Sequence, residues 1–238
     1  MERWARAKYQ PVLPLGEDGH RVTGSREHIE LSKDAAKEGM VLLKNQGNVL
    51  PLARGSRVAL FGKATFDYVK GGGGSGDVTV AYTRNLYEGL KKKADHVEIF
   101  EELADFYREN VKGQYAQGRG PGMTVEPVLP EELLQKARAF TDTAIISICR
   151  FSGEGWDRKS VYDRKGKADD TVIAGQEQKQ DDEEEVFEEG DFYLTHGEKA
   201  MVEAVKSSFP RVIVVMNVGG MVDTDWFAGE DKIQSVLM

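Results

Sequence analysis

The chain alternates short apolar runs with longer amphipathic segments, and this alternation constrains its fold more than any other feature. Four runs have the length and composition of buried strands: 57–62, 96–100, 142–150 and 211–220. Helices are predicted between and after them, at about 84–93, at 101–113, at 130–140 and at 195–205. Strands that alternate with helices predict an α/β fold, in which a mostly parallel sheet is covered by helices on both faces.

The two ends of the chain are predicted to differ from this core. Residues 1–25 contain Pro, Gly and mixed charge without a period, and we interpret them as an N-terminal arm. Ser25 is a predicted N-cap for a helix whose apolar stripe includes Ile29 and Leu43 and which ends in 45–52. Residues 235–238 are predicted to begin another strand, and we expect the apolar edge of this strand to be open, without a neighbouring strand to pair with.

Composition excludes several classes of function. The 238 residues carry a net charge of −8, which disfavours nucleic acid as a partner. The four histidines are scattered without metal-ligand spacing, and no apolar run approaches the roughly 18 residues of a membrane span. Cys149 is the single cysteine, so we expect a cytoplasmic protein without a disulfide. The acidic run 180–191 is interpreted as a solvated insertion.

Three glycine-marked loops follow predicted strands, at 70–78, 151–158 and 217–221. The carboxyl ends of parallel strands share one edge of a sheet, and ligands bind at that edge, so the loops predict a shared binding rim. The first loop lacks the Lys-Ser/Thr of a phosphate-binding loop and does not open a helix, which disfavours nucleotides. No serine has the histidine spacing that would indicate a Ser-His-Asp triad.

Glu154 stands between Gly153 and Gly155 at the end of a predicted buried strand. It is either a solvated turn residue or a general acid on a loop whose glycines leave room for a ligand to approach. Trp156 either packs or offers a stacking surface to a sugar ring. Asp157 and Arg158 can pair to hold the loop, or the arginine can reach the ligand.

Five motifs in order resemble glycoside hydrolase family 3, the β-glucosidases and related exo-acting β-glycosidases. They are EGMVLLKNQGNVLPL (38–52), VALFG (58–62), GGGGSG (71–76), SGEGWDRK (152–159) and VIVVMNVGGMVDTDWF (212–227). The resemblance covers 26–238. It implies that this range is an α/β sandwich domain, incomplete at its C-terminus, from a permuted member that places a catalytic (β/α)8 barrel after the sandwich.

The resemblance also implies the roles of individual residues. Glu154 corresponds to the general acid/base, and Ser75 to a position that can contact the sugar. Asp225, in TDW, is interpreted as structural, because the nucleophilic aspartate belongs to the barrel, which this chain lacks. Residues expected to support the two loops are Gly72, Gly74, Gly153, Gly155, Asp157 and Arg158.

The expected function is therefore part of a retaining β-glycosidase, most simply a β-glucosidase. It implies no metal or other cofactor. Its expected partners are a β-glucoside or related saccharide and the remaining sandwich and barrel polypeptide, with oligomerisation left open. The alternative is a noncatalytic carbohydrate-binding or interaction module of the same fold, which would have no need of Glu154 at this position.

Overall fold

The sheet has the predicted α/β form. The computed structural model describes residues 24–71, 80, 82–152 and 186–238. Its described strands are β1 (Leu42–Asn45), β2 (Ser56–Phe61), β3 (Val97–Ile99), β4 (Thr143–Arg150), β5 (Arg211–Val218) and β6 (Ile233–Leu237). They form one sheet in the order β1-β6-β5-β4-β2-β3, in which every pair is parallel except β1 with β6.

Helices cover both faces of this sheet, as predicted. The described α-helices are α1 (Arg26–Gly39), α2 (Leu86–Lys91), α3 (Glu101–Ala116), α4 (Glu131–Phe140), α5 (His196–Ser208) and α6 (Asp225–Ala228). Helices α3, α4 and α5 pack on one face, and α2 packs on the other. Right-handed crossovers require this division, because the chain moves across the sheet in one direction from β2 to β3 and in the opposite direction from β3 to β4 and β5.

Local sequence signals explain where these helices begin. Thr195 and Glu198 form the predicted capping box at the start of α5, with each side chain bonded to the other residue's backbone N–H. Asn85 and Glu88 form a second capping box at the start of α2. The first turns of α3 and α4 each carry two glutamates, which interact favourably with the positive end of the helix dipole.

The expectation of a helix that reaches Leu43 was wrong. Ser25 caps α1 as predicted, but the helix ends at Gly39, and Leu43 lies in β1. Strand β1 pairs antiparallel with β6, where Leu42 is opposite Leu237. Residues 42–45 form a strand because they pair with β6, which lies about 190 residues further along the chain. A helical period in the local sequence cannot reveal such a distant pairing. The β6 edge that we expected to be open is therefore covered by β1.

The acidic run 180–191 is only partly described, and its described part is exposed at Glu188 and Glu189 but buried at its other residues, so the prediction of a solvated insertion was wrong for those. Val186 and Phe187 are each about 2% exposed and pack with Met123. Asp191 is also buried. These two apolar residues were the signal in the sequence that part of the run is buried despite its charge.

The chain divides into two compact units, 1–41 and 42–238. In the first unit, α1 buries none of its residues. The sheet and the remaining helices belong to the second unit. None of the described helices is long and apolar enough to cross a membrane.

The β1 edge generates a stability prediction at Lys44. Its ammonium donates hydrogen bonds to the carbonyls of Phe227 (3.0 Å) and Glu230 (2.7 Å), which ties β1 to the turn before β6. Lys44→Met keeps the apolar stem but removes both bonds, so we expect the free energy of unfolding to fall by about 1–3 kcal/mol. Urea denaturation followed by circular dichroism measures this change.

Lys112→Met is the matched control, because Lys112 is exposed on α3 and pairs with Glu109 at the surface. We expect it to change the free energy of unfolding by less than about 0.5 kcal/mol. An equal effect of the two substitutions would contradict the role assigned to Lys44.

Candidate functional site

The site residues predicted from the sequence all lie outside the described residues. This holds for Glu154, Ser75 and Trp156, and for the loop-supporting residues Gly72, Gly74, Gly153, Gly155, Asp157 and Arg158. The structure does describe the points where the three glycine-marked loops leave the sheet.

The bases of the three loops are hydrogen-bonded to one another. The Asn217 side chain on β5 donates to the carbonyl of Val69, just before the first loop (2.9 Å). The Ser152 hydroxyl at the start of the second loop donates to the carbonyl of Gly219 in the third (3.2 Å). The Gly219 amide donates to the carbonyl of Arg150 (3.3 Å). The prediction that these loops leave one edge of the sheet is confirmed at their bases.

This edge includes the point where the strand order reverses. From β2 the chain turns to β3 on one side and later returns to β4 on the other, and ligands bind at the carboxyl ends of strands beside such a reversal. Gly62 lets β2 and β4 approach closely there. Its φ is +94°, and a Cβ atom at this position would clash with the backbone oxygen of Ser147.

A buried lysine and a buried aspartate hold the connection between α3 and α4 against this edge. Asp67 accepts hydrogen bonds from the hydroxyl of Tyr115 (2.6 Å), the amide of Gly122 (2.6 Å) and the hydroxyl of Thr124 (2.6 Å). The Lys63 ammonium donates to the carbonyls of Gly122 and Thr124. Lys63 and Asp67 also lie 3.8 Å apart as an ion pair, so each charge is compensated despite its burial.

A second buried ion pair lies at the end of β4, the strand that precedes Glu154 in the sequence. Arg150, the last residue of β4, forms a bidentate pair with Glu198 on α5, at 2.9 and 2.6 Å. Burial alone would raise the pKa of Glu198, but the charge and hydrogen bonds of Arg150 outweigh burial, and the pKa is lowered. Glu198 is therefore a carboxylate at neutral pH and stays paired with the guanidinium.

Glu126 is a buried carboxyl group without such a partner. Its Oε2 accepts a hydrogen bond from the amide of Lys63 (2.8 Å), while its Oε1 has no hydrogen-bond partner among the described residues. Burial raises the pKa of Glu126 to about 8, and the nearby Glu198 carboxylate adds to the increase. Glu126 is thus largely protonated at neutral pH, which avoids a second buried negative charge beside Glu198.

Sequence reasoning missed this charged framework. Arg150 and Lys63 each carried a signal, since each places a charge at the end of a run that is otherwise apolar. Glu198 was predicted only as a capping residue, although it also binds Arg150. Asp67 and Glu126 carried no signal, because their hydrogen-bond partners lie 48 to 63 residues away and only the ion-pair partner of Asp67, Lys63, is nearby in the sequence. The described residues contain no group of three or more His, Cys, Asp or Glu that would hold a metal ion.

Glu126 generates a pH prediction. Between its usual pKa of 4.5 and about 8, the folded state holds a proton that the unfolded chain has lost. The contribution of Glu126 to stability is therefore full below pH 4.5 and falls as the pH rises to 8, by up to about 1.4 kcal/mol per pH unit. Glu126→Gln removes this loss. We expect the variant to gain stability relative to the native chain from pH 5 to pH 8, as measured by urea denaturation.

The control is Glu98→Gln, on an exposed position of β3. Its difference from the native chain should be independent of pH over this range. If the Glu126→Gln and native curves run parallel from pH 5 to pH 8, then Glu126 is ionised in the folded state across the range.

Comparison with known proteins identifies the domain. Residues 40–238 match the model of the glycosyl hydrolase family 3 C-terminal domain. The chain is 59% identical over its whole length to beta-glucosidase A of Butyrivibrio fibrisolvens, and this match covers 28% of that protein. It is 30% identical to a beta-glucosidase of Ruminococcus albus, a match that covers 83% of this chain and 18% of the relative.

Solved structures agree with this match. The structure of beta-glucosidase 3B from Thermotoga neapolitana in complex with alpha-D-glucose superposes with a TM-score of 0.66 at 30% identity. That superposition covers 89% of this chain and 27% of the other. A beta-glucosidase from Paenibacillus barengoltzii gives a TM-score of 0.68 at 29% identity, over 87% of this chain and 20% of the other. The chain thus spans between 18 and 28% of the length of these relatives, and it belongs to glycosyl hydrolase family 3, whose C-terminal domain it matches.

Proposed function

We propose that this chain is the part of a β-glucosidase that supplies the general acid/base, Glu154. The observation that carries the proposal is the 59% identity to a beta-glucosidase over the whole chain. The convergence of the three loop bases supports it, because Glu154 follows Ser152, whose hydroxyl is bonded to the third loop. The proposal includes the division into an arm, 1–25, and a sandwich domain, 26–238, and a cytoplasmic location.

The proposed reaction is retaining hydrolysis of a terminal β-linked glucose. Glu154 protonates the glycosidic oxygen as the bond to the leaving group breaks, and then removes a proton from the water that attacks the glycosyl-enzyme. A carboxylate outside this chain acts as nucleophile, about 5–5.5 Å from the Glu154 carboxyl group. Ser75 donates a hydrogen bond to a sugar hydroxyl, and Trp156 stacks on a sugar ring.

The proposed reaction requires a substrate and a second domain as partners. The substrate is a β-glucoside or a related saccharide, and the nucleophile comes from a barrel domain in the remaining polypeptide. The 238-residue chain alone should therefore not hydrolyse aryl β-glucosides. Sustained turnover by the chain alone would locate a nucleophile within it, and Asp225 would then need to be tested.

The test uses a chimera in which this chain replaces the matched segment of the Butyrivibrio fibrisolvens enzyme. In that protein, Glu154→Gln should lower kcat/KM by roughly 100- to 10,000-fold for methyl β-glucoside, whose leaving group needs protonation. Cleavage of 2,4-dinitrophenyl β-glucoside needs little acid assistance and should be affected far less. Azide attacks the glycosyl-enzyme without a base, so it should raise turnover of this substrate and yield glucosyl azide.

Glu98→Gln, on the exposed edge strand β3, is the matched control and should behave as the unmodified chimera. An equal loss on both substrates, without an azide effect, would remove Glu154 from the acid/base role. A chimera that binds glucose but hydrolyses neither substrate would favour the noncatalytic carbohydrate-binding module.

A further inference from the structure

The guanidinium of Arg150 uses all of its hydrogen-bond donors. Its Nε donates to the carbonyl of Asp191 (2.8 Å). Its Nη1 donates to the carbonyl of Cys149 (2.7 Å) and to Glu198 (2.9 Å). Its Nη2 donates to the carbonyl of Tyr193 (2.8 Å) and to Glu198 (2.6 Å). These bonds account for the five N–H groups that an arginine carries.

These bonds join the two ends of one long segment. Arg150 directly precedes the loop that contains Glu154, and Asp191 follows 41 positions later. One side chain therefore fixes where the segment leaves β4 and where it returns to α5. On the return side, the amide of Asp223 also donates to the carbonyl of Phe192 (2.9 Å), which connects this point to the residues that follow the third loop.

Glu198 holds the guanidinium in place. It lies in the first turn of α5, is about 1% exposed, and accepts a third hydrogen bond from the amide of Thr195. The ring of Phe187 covers the guanidinium at 4.9 Å. The Lys63 ammonium lies 5.9 Å from the same ring, and Asp191 adds a second negative charge that acts on Arg150. The Glu198 carboxylate thus fixes the plane of the guanidinium, and the guanidinium fixes both ends of the segment 151–190.

We propose that Arg150 and Glu198 are positioning residues for Glu154, whose approach to the glycosidic oxygen depends on the fixed ends of the segment 151–190. This inference rests on the acid/base role proposed above. A misplacement of about 1 Å in a reacting group can reduce the rate about 100-fold, so loosening these ends should impair proton transfer while the sugar still binds. The effect should then fall on kcat for substrates that need protonation.

The experiment introduces Arg150→Lys into the chimera. Lysine keeps the positive charge but carries its three donors on one atom. It therefore cannot bond to both ends of the segment 151–190 and to both Glu198 oxygens at once, as the planar guanidinium does. We expect kcat for methyl β-glucoside to fall about 100-fold with KM changed less than about threefold, and kcat/KM for 2,4-dinitrophenyl β-glucoside to fall less than about tenfold. Glu198→Gln should give the same pattern with a smaller loss.

Arg211→Lys is the matched control, because Arg211 is the first residue of β5 and lies at the end of the strand opposite the glycine-marked loops. It should leave both substrates at the level of the unmodified chimera. Thermal unfolding and titration of active sites with a mechanism-based fluoroglucoside measure the folded fraction, and rates are expressed per active site. If Arg150→Lys fails to fold, the substrate pattern of Glu198→Gln decides the question.

The outcomes separate the two proposals. If Glu154→Gln shows the leaving-group pattern but Arg150→Lys and Glu198→Gln lower both substrates equally per active site, then the pair is structural and the positioning proposal is wrong. If Glu154→Gln itself lowers both substrates equally, the acid/base assignment fails and the positioning proposal fails with it.

Discussion

The structure depends on the burial of β4 on both of its faces. All eight residues of the strand are buried, and it pairs with β5 along its whole length and with β2 on its other side. A strand in this position needs apolar cover above and below, which α3, α4 and α5 supply on one face and α2 supplies on the other together with residues 49–52. Because each buried backbone group must also be hydrogen-bonded, the register of the neighbouring strands is strongly constrained.

The same burial explains why charged residues collect where the strands end. Arg150 completes an apolar strand and lies inside the protein, so it requires a carboxylate and carbonyl partners that a surface arginine would not. Lys63 follows β2 under the same constraint and is paired with Asp67. The resulting ion pairs contribute little net stability, because desolvation offsets much of their attraction, but they fix the geometry of the segments that they join.

Much of the fold was predictable because its signals are local. Apolar runs located β2 to β5, and Thr195 with Glu198 located the start of α5. Strand β1 was not predictable in this way, since Leu42 gains its partner from β6 and its own sequence continues a helical pattern. Phe187 was hidden by the charges around it. The site shows the same limit: glycines indicated which loops matter, but the contacts that hold their bases join residues far apart in sequence.

The antiparallel pairing of β1 with β6 determines how the described sheet ends on that side. Leu42 lies opposite Leu237, so β1 occupies the backbone groups that β6 would otherwise present to another molecule. The outermost described strand is then only four residues long, from Leu42 to Asn45. So short an edge strand offers few unpaired backbone groups, which disfavours pairing of this sheet with the sheet of a second molecule.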